Sequence, residues 1–175
     1  FSTAPDRLMG FLKKMGLLYF FSSLLYLPLG IYAGHYDKLT PTGLLRMIFF
    51  DGTFYHLWYF PACMLGLMLV WLMARRFRAR LLVFFSLLLY FIGLLGDSYY
   101  GIAKQVPVLR DFYDGLFTVS SYTRNGVFFA PCFLVMGMLM QKLALLSKKR
   151  AAVGFLLSFC AMTTEAFLLR HFGLQ

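Results

Sequence analysis

The sequence predicts an all-α fold, a polytopic transmembrane helix bundle of about five spans with short interfacial helices in its outer loops. Three observations point there. Of the 175 residues 61% are hydrophobic and only 14% charged, far outside the balance of a soluble domain. The apolar residues gather into long runs instead of the alternation of a barrel strand, and in hydrocarbon such runs must satisfy their backbone groups as helices. Lys and Arg also sort to one side of those runs.

Five runs qualify in chain order. Met15–Gly34, Leu57–Ala74, Leu81–Gly96 and Gly126–Met140 carry no formal charge, the fourth reaching residue 142 at its polar end, and Ala151–Leu169 carries only Glu165. They approach or just miss the roughly 20 residues that cross a bilayer, with flanking aromatic residues extending the two shorter ones, 81–96 and 126–140.

Net charge is +10, but its placement says more than its size. Arg7, Lys13 and Lys14 precede the first span. Arg75, Arg76, Arg78 and Arg80 join the second to the third, and Lys142, Lys148, Lys149 and Arg150 join the fourth to the fifth. Of the seven acids only Asp6 shares that side. The positive-inside rule therefore predicts a multi-pass plasma-membrane protein whose first end and basic loops 75–80 and 148–150 are cytoplasmic. The basic loops contain few aromatic residues and no base-reading motif, which sets nucleic acid aside as a partner and leaves the lipid bilayer. The segment 75–80 reads as a topology determinant facing anionic lipid.

Cys63, Cys132 and Cys160 all fall inside predicted spans. Their odd number and the lack of CxxC spacing predict neither a disulfide framework nor a metal site, and they are expected as small core residues. The run Met15–Gly34 lacks a cleavage signal and is too long for a signal-peptide core. With no initiator Met and abrupt ends, the chain is expected to be an internal piece of a larger membrane domain.

The outer connections carry the chemistry. In His35–Tyr55, Thr40 is placed to cap and Pro41 to open a short helix through Leu44–Phe50, lying along the membrane surface. The longer Asp97–Asn125 mixes Tyr, Phe, Lys, Arg and Asp, a composition expected of a functional loop. Short similar segments at Tyr59–Cys63 and Phe128–Cys132 are too small to establish a duplication.

His56 stands at the outer mouth of the second span and shares helical spacing with Tyr59, Phe60 and Cys63. Pro61 withholds a hydrogen bond from the Leu57 carbonyl, leaving an acceptor near the ring. Two readings stand: a general base near neutral pH, or a ring at headgroup level in an aromatic belt. Arg124 opens the fourth span at the same expected depth, either as an anion site with the helix N-terminus or as an interfacial arginine reaching the headgroups. Glu165, in the outer half of the fifth span, needs a partner, a proton or a water-filled cavity, and its partner is expected from another helix. The alternative is a helix-packing role. Asp97 ends the third span, where it either orients a neighbouring histidine or arginine or closes a helix-end turn. Asp51-Gly52 reads first as a turn. Nothing matches GxSxG, Walker A, GxGxxG or HExxH.

Three stretches, His56-Leu57-Trp58-Tyr59-Phe60-Pro61-Ala62, Gly93-Leu94-Leu95-Gly96-Asp97-Ser98-Tyr99-Tyr100-Gly101 and Thr123-Arg124-Asn125-Gly126-Val127-Phe128-Phe129, together resemble the membrane-bound acyltransferase-3 family. The likeness is strongest to the branch containing the membrane domain of VanT-type serine racemases. It covers nearly the whole chain, so residues 1–175 are expected to form a partial acyltransferase-3-like domain that lacks the family's first and last spans. Those missing spans of the same polypeptide would then be its partners. The resemblance implies transfer of an acyl group, commonly acetyl, from acetyl-CoA or another acyl-CoA to a sugar or other small acceptor at the outer face. It places His56 and Trp58 in the family's HLW motif and Arg124 and Asn125 in its TRNG motif. His56 and Arg124 are then expected as catalytic residues, with Trp58, Asn125, Asp97 and Glu165 binding substrate. The family's Arg and His about ten residues apart on the first span have no counterpart here, so the isolated piece is expected to be inactive. The racemase branch implies a second role, serine or amino-acid binding and transport, and a third, a non-catalytic membrane anchor.

Overall fold

The computed structural model describes residues 5–36, 40–142 and 148–171. Asp37 and Lys38 of the first outer connection and the linker at 143–147 lie outside the described residues. Among these residues eight α-helices run in order as α1 (Pro5–Tyr32), α2 (Pro41–Arg46), α3 (Tyr59–Arg76), α4 (Ala79–Gly96), α5 (Tyr100–Ala103), α6 (Pro107–Leu116), α7 (Ala130–Lys142) and α8 (Lys148–His171). A π turn at Met47–Asp51 and a 3-10 turn at Tyr55–Trp58 complete the described regular structure.

Proline marks where most of these helices begin. Pro5, Pro41, Pro61, Pro107 and Pro131 all lie in first turns, where an absent N–H leaves no intrahelical bond unmade. Thr40 caps α2 as expected, its Oγ1 accepting from Gly43 N at 3.1 Å. The α-helix there stops at Arg46 and widens into the π turn, so the expected helix through Phe50 is α only as far as Arg46. Among the described residues four helices are long and apolar enough to cross a membrane: α1, α4, the apolar part of α8, and α3 with its preceding 3-10 turn. The fourth run differs. Residues 126–129 form a turn, and only the 13 residues of α7 are helical.

α3 is the centre of the bundle. In its spanning window 44% of residues are buried, against 11% in α1 and none in the α8 window. α7 packs on both α3 and α4, and Val70, Met73, Leu82 and Val135 join the three into a core. The α3–α7 contact is made by small residues. A Cβ on Gly66 would collide with the Ala130 methyl, and one on Gly126 would lie 2.6 Å from the Ala62 carbonyl oxygen. Ala62 and Gly66, like Gly126 and Ala130, are four residues apart, a small-xxx-small pair on each partner that lets backbones approach closely. A second cluster of Tyr19, Leu57 and Phe60 holds α1 against the start of α3.

Cys132 is buried and Cys63 partly so, but Cys160 is exposed on α8. The expectation of a core role therefore fails for Cys160, because no described helix covers its face of α8. α8 is linked to the end of α4 by a hydrogen bond from Tyr99 Oη to Glu165 Oε1. Thr163 and Thr164 bond back to the Phe159 and Cys160 carbonyls instead. Glu165 thus takes its partner from the turn after α4, whereas the sequence reading expects one on another helix.

Candidate functional site

The connections at the α3 start and the α4 end fold together over the bundle. Gly52 adopts φ +82, and a Cβ there would strike the Trp58 backbone, so glycine alone permits the chain to double back before the 3-10 turn. The long 97–125 connection is pinned to α4 by two donors. Tyr113 Oη gives to the Ile92 carbonyl at 2.8 Å and Thr123 Oγ1 to the Gly93 carbonyl at 2.6 Å. Gly93 and Gly96 leave space for this, since a Cβ on Gly96 would sit 2.5 Å from the Tyr113 ring.

A polar latch then ties the two connections. Asp51 accepts from Arg46 Nε at 3.1 Å, from Ser121 N at 3.1 Å and from Ser121 Oγ at 2.5 Å, while its carbonyl accepts from Tyr122 Oη at 2.8 Å. Arg46 also donates to Ser121 Oγ. In the sequence Asp51 reads first as a turn residue, and neither Ser121 nor Arg46 stands out as a site residue. Their signal was an Arg and an Asp five residues apart in an otherwise apolar stretch.

Asn125 is 2% exposed and acts as a structural cap. Its Oδ1 accepts from Val127 N at 2.9 Å and Phe128 N at 3.3 Å, and its Nδ2 donates to the Tyr122 carbonyl at 3.1 Å. Those N–H groups were expected to join Arg124 in an anion site, but the amide takes them first. Arg124 is left as the charged donor.

Arg124 is half-exposed and held over aromatic faces, its guanidinium carbon 5.6 Å from the Trp58 ring centroid and 5.8 Å from that of Tyr122. Trp58 and Tyr122 meet edge to face at 6.5 Å. Asp97 Oδ2 lies 4.0 Å from Arg124 Nε, the outer limit of an ion pair and worth at most about 1 kcal/mol at such exposure. The cation is positioned by rings and only loosely neutralised. Thus Arg124, Asp97 and Trp58, three of the expected site residues, come together with Tyr122, while Asn125 shapes the backbone beneath them.

His56 does not join this group through any contact among the described residues. It is exposed, with ring contacts to Phe54 at 6.5 Å and Tyr55 at 5.1 Å. Of the residues sharing its expected helical face, Tyr59 is exposed but Phe60 is buried, because the 3-10 turn offsets His56 from the α3 register. The Leu57 carbonyl accepts the Tyr59 N–H, so the acceptor expected beside His56 is engaged. Glu165 stands apart with Tyr99.

Tyr122 lies in the connection, outside the spans. Burial first, then the Asp51 charge, pushes its phenol up from 10.0 to about 12, with Arg124 opposing. A group raised in the folded state adds stability that is fully present below its unfolded value and is lost as pH climbs through the folded one. Detergent-solubilised protein is expected to lose denaturation resistance between pH 10 and about 12, and Tyr122→Phe to flatten that part of the curve. An unchanged curve in the variant would place the titrating phenol elsewhere.

Residues 3–174 match the family model described as an acyltransferase domain. Two proteins from Enterococcus faecalis named amino-acid racemase are 40% and 43% identical over 97% and 95% of this chain. A serine/alanine racemase from Enterococcus gallinarum is 34% identical over 97% of it. In each case the match covers 24% of the relative, so the chain spans about a quarter of the length of these curated proteins. No solved structure matches. A family match running through nearly every residue, on a bundle of apolar helices, shows that this chain belongs to the membrane-bound acyltransferase-3 family.

Proposed function

We propose that this domain is the membrane module of a racemase-type protein and that it binds a small amino acid, with serine the first candidate, at the Arg124–Asp97 pair on the outer face. One observation carries the reading: a half-exposed guanidinium fixed over Trp58 and Tyr122 with a carboxylate 4.0 Å away. A zwitterion laid alongside the pair meets both charges. Its carboxylate takes the guanidinium fork, its ammonium takes Asp97, and neither protein charge must be desolvated without a partner. The racemase names of the relatives support the ligand class. Labelled serine binding to the full-length polypeptide in lipid nanodiscs tests it. Saturable binding competed by alanine is expected, and its absence would reject the assignment.

Family membership favours a second reading, acyl transfer. Here exposed His56 removes the proton from an acceptor hydroxyl or amine while Arg124 holds developing negative charge. The donor, acetyl-CoA or another acyl-CoA, enters as a substrate. The transfer forms the new ester or amide bond to the acceptor and breaks the thioester, with the proton passing through His56 to the leaving thiol. His56→Ala in the full-length protein is expected to lower acceptor acylation at least about a hundredfold at unchanged expression, the lower end of what a general base supplies. Undiminished acylation would remove His56 from the reaction. The plasma membrane with the basic loops inside is the orientation both readings adopt.

A further inference from the structure

We infer that the groove between α1 and α3 holds an acyl chain of an anionic phospholipid, whose phosphate is met by Arg75 at the basic end. Two clefts make up this groove. One, of about 150 Å³, is lined by Pro5, Leu8, Met9 and Leu12 of α1 and by Met68, Trp71 and Leu72 of α3. The other, of about 330 Å³, continues from the shared Leu12 and Met68 toward Tyr19, Ile48 and Pro61. The α3 wall follows helical spacing through Pro61, Met64, Met68, Trp71 and Arg75, so a linear apolar ligand lies along one face.

Two polar features at the basic end select the ligand. Trp71 Nε1 is buried and has no hydrogen-bond partner among the described residues. An unmet indole N–H in an apolar wall is unfavourable, and a glycerol-ester carbonyl entering the cleft supplies its acceptor. The Arg75 guanidinium lies over the same indole, 4.5 Å from the centroid, which fixes a cation one turn beyond the cleft. Arg76 and Arg7 are exposed at that end, with Asp6 the acid beside them. The positive excess favours an anionic headgroup over a zwitterionic one. A free phosphate would satisfy Arg75 but leave the apolar groove and the indole unmet.

The full chain in phosphatidylcholine nanodiscs, doped with acyl-brominated lipid, provides the test. Trp71 quenching is read as the difference between the wild type and Trp71→Phe, which isolates this indole from Trp58. Brominated phosphatidylglycerol is expected to reach half-maximal quenching at about fivefold lower mole fraction than brominated phosphatidylcholine, the effect of one cation at an anionic surface. Arg75→Ala is expected to make the two lipids equal. Equal quenching by both lipids in the wild type, an undiminished preference in Arg75→Ala, or relief of quenching by inorganic phosphate would each overturn the inference. Retention of phosphatidylglycerol by the wild type but not Arg75→Ala, measured by mass spectrometry after detergent exchange, gives a second readout.

Discussion

Gly66→Leu is expected to unseat α7 from α3 and to lower resistance to denaturing detergent by about 3 kcal/mol or more, the upper range for overfilling a packed contact. The reason is geometric. A Cβ at Gly66 already collides with the Ala130 methyl, and the Gly126 carbonyl oxygen lies 3.1 Å away, so nothing flexible is available to yield. α7 also contributes Val135 to the core shared with α4, and its preceding turn carries Asn125 and Arg124. Loss of the contact should therefore disturb the site as well as the bundle. Gly137→Leu is the control, because a Cβ there meets nothing within 4 Å, and its effect is expected within about 0.5 kcal/mol. Circular dichroism during detergent titration compares the two. If Gly66→Leu and Gly137→Leu unfold alike, α3 and α7 do not meet where described.

Arg124→Ala is expected to weaken serine binding by about ten- to a hundredfold, the range for losing hydrogen bonds to a charged group, while leaving the fold intact. Its ion pair with Asp97 at 4.0 Å, the only one it makes among the described residues, is half-exposed and contributes little to stability. The split between binding and stability makes the result diagnostic. Arg124→Lys retains charge over the rings but loses the planar fork, so an intermediate loss is expected. Asp97→Asn should weaken binding of the amino acid while sparing an analogue that lacks the ammonium. Isothermal titration in nanodiscs measures all three, and wild-type affinity in Arg124→Ala would exclude the pair as the binding site.

Much of the bundle was legible because lipid makes hydrophobicity decisive. The expected run Leu81–Gly96 is the helix Ala79–Gly96, and Leu57–Ala74 corresponds to Tyr59–Arg76 with its 3-10 lead. α1 exceeded its apolar run, starting at Pro5, since Lys13 and Lys14 belong to a helix even though they are not hydrophobic. Proline and the Thr40 cap located helix starts because their effects are local. The resemblance had grouped Trp58 and Arg124 without saying how they meet. Tyr122 reads from sequence only as one ring of the 97–125 loop and Arg46 only as part of the short outer helix, and Ser121 carries no signal, because their partners lie up to 75 residues away.

By itself the sequence determined that the chain forms apolar helices, where most of them begin, and which of their ends is basic. These follow from solvent and from local backbone chemistry. Only the tertiary structure decided that α7 sits against α3 through Ala62, Gly66, Gly126 and Ala130, and that Asn125 consumes the N–H groups that Arg124 was expected to share. It also gave His56 ring contacts to Phe54 and Tyr55 and, among the described residues, none to the Arg124–Asp97 pair. Such outcomes depend on which backbones approach within a few ångströms, and a pattern of hydrophobicity carries no information about that distance.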